Sequence, residues 1–180
     1  MSVILITGGA RSGKSRLAED KARAYEGVLY IATARALDDE MRARIARHRA
    51  DRPASWDTFE GSRGLAQAVG PRHGCVLLDC VTNLVTNFCM DQPTNWERAH
   101  ERDVQEVEQL ALSELTALIE RVRAQGCALI MVNNEVGLGL VPDYPLGRAF
   151  RDIAGRIGQR LAALSDEVYF CVSGIPMRIK

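Results

Sequence analysis

The residues Gly8-Gly9-Ala10-Arg11-Ser12-Gly13-Lys14-Ser15 follow the spacing G-x-x-x-x-G-K-[ST] of a phosphate-binding loop. Each residue type has a task there. Gly8, Gly9 and Gly13 let the backbone turn tightly and aim N–H groups at phosphate oxygens. The start of the following helix adds a partial positive charge at the same point. Lys14 is long enough to reach β- and γ-phosphates, and the Ser15 hydroxyl is placed for Mg²⁺. A second candidate is Asp79, which closes the apolar run Cys75-Val76-Leu77-Leu78. An acid at the end of such a strand holds Mg²⁺ in phosphate-loop proteins. A third is His48, set among Arg44, Arg47, Arg49 and Arg52. A neutral imidazole nitrogen can attack a phosphorus atom, and arginines welcome the anion it attacks. A histidine beside an apolar stripe is nonetheless more often structural than reactive.

These residues need a frame. Val3 to Ile6 predicts a buried strand running into the loop, and Leu17, Ala18, Lys21 and Ala22 a helix leaving it. Further strands are expected at Val28 to Ala32, around Trp56 to Glu60, at Cys75 to Asp79, at Ala128 to Val132 and at Glu167 to Val172. Between them the pattern predicts a helix over 37–49 with the stripe Leu37, Met41, Ile45, and a short one over 62–69. It also predicts one long helix from Asn95 to Gln125 stopped by Gly126, and another from Leu146 to Leu164. The segment 81–93 reads as mixed, and Met177 to Ile179 as an edge hairpin. Strands alternating with helices imply an α/β fold. The expectation is a P-loop NTPase of RecA-like kind, a mostly parallel sheet flanked by helices on both faces, in a single domain over residues 1–180. The glycine- and proline-rich stretch after Val132 is a long loop at the C-terminal end of a strand, where function concentrates.

Composition narrows the partners. Lys plus Arg equals Asp plus Glu at 23 each, so no global charge argues for nucleic acid or a membrane surface. No run approaches the roughly 18 apolar residues of a membrane span. The N-terminal apolar run is short and enters a glycine loop, unlike a signal peptide. The five cysteines are odd in number and none forms C-x-x-C, which fits a reducing cytoplasm. Cys75, Cys127 and Cys171 lie in apolar runs and read as small buried hydrophobes. His73 and His100 read as solvent-facing.

Several motifs carry a more specific resemblance. GGARSGKSR at Gly8 to Arg16, IAT at Ile31 to Thr33, LDDEM at Leu37 to Met41, NEVGLGLVP at Asn134 to Pro142, FRDIAGRIGQRLA at Phe150 to Ala162 and the SGIP turn at Ser173 are the carriers. Together they resemble the bifunctional adenosylcobinamide kinase / adenosylcobinamide-phosphate guanylyltransferase family from end to end. The resemblance implies a two-step enzyme of cobalamin biosynthesis. The first step phosphorylates the aminopropanol hydroxyl of adenosylcobinamide with ATP or GTP, with Mg²⁺. The second passes GMP from GTP through a histidine to that phosphate and releases pyrophosphate. By motif position the histidine is His48. The correspondence further implies guanine-nucleotide contacts from Thr33, Ala34, Arg35, Arg49, Ala50, Asp51, Arg52, Glu60 and Asp79, a metal held by Ser15 and Asp79, and a homotrimer. A carboxylate such as Glu60 can accept from guanine N1–H and the 2-amino group, which adenine lacks. The loop from Asn134 to Pro142 and Arg148, Arg151 and Arg156 are candidates for corrinoid contact. Two positions depart from the pattern. Some relatives have Glu where this chain has Asp79, and some carry a second histidine where it has Arg47.

Two other readings remain open from the residues. One is a P-loop kinase of a different small molecule, with His48 structural. The other is a nucleotide-dependent switch or RecA-like assembly ATPase, whose DNA-binding form the neutral charge disfavours.

Overall fold

The computed structural model describes residues 2–36, 38–50 and 52–180, and the side chains of all of these except Glu40, Arg44 and Arg47. Its strands are β1 (Val3–Gly8), β2 (Val28–Ala32), β3 (Asp57–Glu60), β4 (Cys75–Asp79), β5 (Ala128–Asn134), β6 (Glu167–Val172) and β7 (Ile175–Arg178). The helices are α1 (Lys14–Ala22), α2 (Asp39–Ala50), α3 (Leu65–Ala68), α4 (Val81–Asp91), α5 (Glu101–Gln125) and α6 (Pro145–Leu164). The strands form one sheet in the order β3-β2-β4-β5-β1-β6-β7. All neighbours are parallel except β7, which runs antiparallel to β6. Strand β5 separates the loop-bearing β1 from the acid-bearing β4, the RecA-like order.

The central strands are apolar on both sides because helices cover both faces. Val3, Leu5, Leu29, Ile31, Val76, Leu78, Leu129 and Met131 pack with α3 to α6. Ile4, Ile6, Val28, Tyr30, Leu77, Ile130 and Val132 pack with Ala18 and Ala22 of α1. Each large aliphatic side chain removed from water on these faces contributes about 1.5–3 kcal/mol. The C-terminal ends of β1, β2, β4 and β5 all reach the same edge of the sheet, where ligands bind in open α/β folds. Among the described residues no helix is long and apolar enough to cross a membrane. All five cysteines are free and buried.

Three local expectations change. Residues 81–91 form a helix rather than a mixed segment, with Val81, Leu84, Val85, Phe88 and Cys89 buried on one face. The period was present, but Thr82, Asn83, Thr86 and Asn87 are weak helix formers and masked it. The long helix begins at Glu101 and not at Asn95, because local hydrogen bonds at Asn95 and His100 delay its start. The Asn95 side chain caps a 3-10 turn at Trp96–Arg98, and the Asp103 carboxylate accepts the His100 N–H at 2.7 Å. His73 is not solvent-facing but 8% exposed. Its Nδ1 accepts the Gly70 N–H at 3.0 Å, and its Nε2 lies 3.0 Å from Asp57 Oδ2. His100 is exposed, as expected. The C-terminal hairpin also forms, turning through Ser173 and Gly174, both at positive φ.

Candidate active site

Strand β1 delivers the phosphate loop and α1 receives it. At Gly8 a Cβ would lie 2.6 Å from both the Cys171 carbonyl oxygen and Ser12 Oγ, so only glycine fits. Gly13 turns at φ 92, and a Cβ there would meet Gly174 Cα at 3.1 Å. Arg11 also takes a left-handed backbone, while Ala10 and Arg11 point outward. Lys14 opens α1 with 7% exposure, its Nζ donating to the Gly9 carbonyl at 3.0 Å. Ser12 Oγ is buried inside the loop with no hydrogen-bond partner from the chain. A buried hydroxyl in that state is costly unless a ligand oxygen satisfies it.

Asp79 ends β4 at the same edge. Its Oδ2 accepts from the Tyr30 hydroxyl at 2.7 Å. Burial, reinforced by the Asp79 charge and hydrogen bond, pushes the Tyr30 phenol well above its ordinary value, so it stays a donor. Thr33 braces the same corner. Its Oγ1 accepts the Cys80 N–H at 2.8 Å and donates to the Cys80 carbonyl at 2.7 Å, while its own N–H donates to the Asp79 carbonyl. Thr33 is therefore buried under the site, 1% exposed, and its hydroxyl is committed to backbone.

Helix α2 closes the other side. Asp38 caps it by accepting the Met41 N–H at 2.7 Å. Met41, Ile45, His48, Arg49 and Arg52 face a cavity of about 310 Å³ that Lys14, Ser15, Ala34, Glu60 and Asp79 also line. Arg49 Nε donates to Glu60 Oε1 at 3.0 Å, with a second contact from its terminal nitrogen. The Arg52 guanidinium lies over the Tyr30 ring, 3.4 Å from its centroid, and its Nε is buried with no hydrogen-bond partner from the chain. Arg52 and the half-buried His48 line the same cavity, and a guanidinium there suits an anion.

The structure thus brings together Lys14, Ser15, Ala34, His48, Arg49, Arg52, Glu60 and Asp79. Gly8 to Gly13 form the turn that leads into Lys14. Arg35 turns away, its two terminal nitrogens on the Asp91 carboxylate at 2.6 and 2.8 Å, and Ala50 is exposed outside the cavity lining. That bidentate pair holds the Asp91 carboxyl below the usual carboxylate range. Leu37, Asp51 and the side chains of Arg44 and Arg47 lie outside the described residues.

Sequence reasoning passed over Tyr30 and Asn83, which also line the cavity, as does Asn134, the first residue of the loop expected to contact the corrinoid. Tyr30 looks like core because it sits in an apolar strand. Asn134 carried a usable signal, a polar residue at the C-terminal end of a central strand, in register with Gly8. The α6 arginines, candidates for corrinoid contact, also bond within the chain. Arg148 donates to the Pro142 and Asp143 carbonyls and Arg151 to the Gly137 carbonyl, while Arg156 pairs with Glu108 at 2.6 Å.

The donors fit Mg²⁺. Ser15 and Asp79 offer a hydroxyl and a carboxylate in one cavity, and the described residues form no cluster of three or more His, Cys, Asp or Glu. Mg²⁺ is ordinarily held this way, by one or two carboxylates plus substrate phosphates.

Comparison with known proteins places relatives beside this geometry. The family described as cobinamide kinase / cobinamide phosphate guanyltransferase matches residues 4–179. A bifunctional adenosylcobalamin biosynthesis protein, CobU, of Escherichia coli (strain K12) is 46% identical over 187 residues, covering 99% of both chains. CobU of Salmonella typhimurium is 46% identical over 186 residues, again 99% of both. The protein CobP of Pseudomonas aeruginosa, under the same description, is 41% identical over 181 residues, 98% of this chain and 96% of the relative.

Proposed function

We propose that this chain, which belongs to the cobinamide kinase / cobinamide phosphate guanyltransferase family, performs both reactions in one domain and one cavity. It phosphorylates adenosylcobinamide with ATP or GTP. It then transfers GMP from GTP, through His48, to give adenosylcobinamide-GDP and pyrophosphate. The observation that carries the reading is the single cavity shared by Lys14, Ser15 and Asp79 on one side and His48, Arg49, Arg52 and Glu60 on the other.

In the kinase step Lys14 is a point charge for the β- and γ-phosphates, and loop N–H groups bind their oxygens. Ser15 and Asp79 would hold Mg²⁺, which neutralises charge on the phosphates. Tyr30 fixes one oxygen of Asp79 and leaves the other available. In the nucleotidyl step a His48 ring nitrogen attacks the α-phosphorus of GTP. The N–P bond forms as the bond to pyrophosphate breaks. A phosphate oxygen of the acceptor then attacks the same phosphorus, and the N–P bond breaks to return His48. Arg52 offers its unpaired Nε–H to the nucleotide. Glu60 accepts from the guanine edge, with Arg49 holding its carboxylate in place. The same reading has a homotrimer working in the cytoplasm on small molecules, and five free, buried cysteines fit a reducing compartment.

Intact-mass measurement after incubation with GTP and Mg²⁺, without corrinoid, tests the reading. One GMP should add to the wild type, and the bond should be labile in acid and stable in mild alkali, as a phosphoramidate is. His48→Ala should take no label yet still phosphorylate cobinamide. An adduct that persists in a folded His48→Ala protein, or loss of both activities together, overturns the assignment of His48.

A further inference from the structure

A second cavity, of about 340 Å³, opens between α6 and the ends of β1 and β5. Thr7 and Asn133 line it from the strands, on the sheet face opposite α1, and Gly155, Gly158 and Gln159 line it from α6. Glycine inside a helix is costly relative to alanine, so two on one face need a reason. Packing within the chain supplies none. A Cβ at Gly155 would meet nothing within 4 Å, and one at Gly158 only Asn133 Nδ2 at 3.7 Å, an ordinary contact. The absent side chains instead leave the cavity wide.

The two cavities share one lining residue. Asn134 lines the nucleotide cavity together with Lys14 and Asp79, and it lines this one too. It pairs in register with Gly8, so the shared residue sits beside the first glycine of the phosphate loop.

Resting on the kinase reading above, we infer that this cavity is the acceptor subsite. It receives the hydroxyl-bearing arm of the acceptor and brings that hydroxyl over Asn134 to the terminal phosphate at Lys14. The chemistry of the walls suits such an arm, an amide joined to a short aliphatic chain that ends in an alcohol. Gln159 offers a side-chain amide and Thr7 a hydroxyl, which now accepts from Asn133 Nδ2 at 3.4 Å, while Leu5 and Val168 offer apolar surface. A space of this size takes the arm and excludes the macrocycle, which stays outside.

The test fills the space. Gly158→Leu should raise the KM for cobinamide at least tenfold in the kinase assay. The KM for nucleotide and the GMP adduct formed from GTP alone should stay as in the wild type. Stability to urea should hold or rise, since leucine favours helix over glycine. Gly155→Leu, which has open space around it, serves as the second variant and should act in the same direction. An unchanged cobinamide KM in either folded variant overturns the inference. Failure of the kinase reading itself looks different, because the wild type would then phosphorylate no cobinamide at all.

Discussion

The Tyr30 hydroxyl donates to Asp79 Oδ2 at 2.7 Å, while the Arg52 guanidinium rests 3.4 Å from the centroid of the same ring. One buried aromatic therefore touches the proposed metal acid with its polar tip and the proposed nucleotide arginine with its face. Tyr30→Phe keeps the ring and deletes the donor. A hydrogen bond to a charged group is worth about 1.5–3 kcal/mol, so nucleotide affinity in Mg²⁺ should fall by on the order of tenfold. Affinity without Mg²⁺ should barely move. Titrating a fluorescent nucleotide with and without Mg²⁺ checks this, and equal losses in both would mean that the ring itself has shifted.

Lys14→Ala should cost kinase turnover several kcal/mol of transition-state stabilisation, on the order of a thousandfold or more. Lys14 is buried against the loop carbonyl of Gly9 and lies at the head of α1, outside the packed faces of the sheet. The far-ultraviolet circular dichroism should therefore match the wild type. Near-normal turnover would remove the loop from the kinase reaction.

Glu60→Gln should lower the preference for GTP over ATP in the nucleotidyl step by about 1–3 kcal/mol, the worth of one charged hydrogen bond. It also weakens the hold of Arg49, which donates to the same carboxylate. Competition between GTP and ATP for adduct formation reads the preference directly. If the ratio is unchanged, the base is recognised elsewhere.

His73 offers a prediction about stability alone. His73→Ala leaves the Gly70 N–H without its acceptor and leaves Asp57 with Arg72 alone of its two partners. The cost of stranding these partly buried groups is about 1–3 kcal/mol in urea unfolding. Both catalytic activities per folded molecule should be unchanged, because His73 lies outside the nucleotide cavity.

How much of this was legible beforehand depends on whether the cause is local. The phosphate loop was plain because its glycines are demanded by crowding at a fixed spacing, as Gly8 against Ser12 and Cys171 shows. Strands β1, β2, β4 and β5 were plain because both of their faces are buried. Helix α4 was hidden because its Thr and Asn residues oppose the propensity that its buried stripe overrides. Tyr30 was hidden because its role comes from Asp79, which is far along the chain and adjacent only in the sheet. The partners of Arg148 and Arg151 were hidden for the same reason, since the carbonyls they bind become neighbours only when the loop folds back. His73 looked like a turn residue until Asp57 arrived beneath it.

The phosphate loop is made well before the segments that finish it. Strand β1 sits between β5 and β6, Gly8 is walled by the Cys171 carbonyl, and the Gly174 N–H holds the Ser12 carbonyl at 3.0 Å. A ribosome-bound chain that has released only β1 to β4 has the nucleotide motif in full and no wall to shape it. Nucleotide capture is thereby tied to the emergence of β6 and β7, and a chain cut short before them would stay blind to nucleotide rather than trap it unproductively.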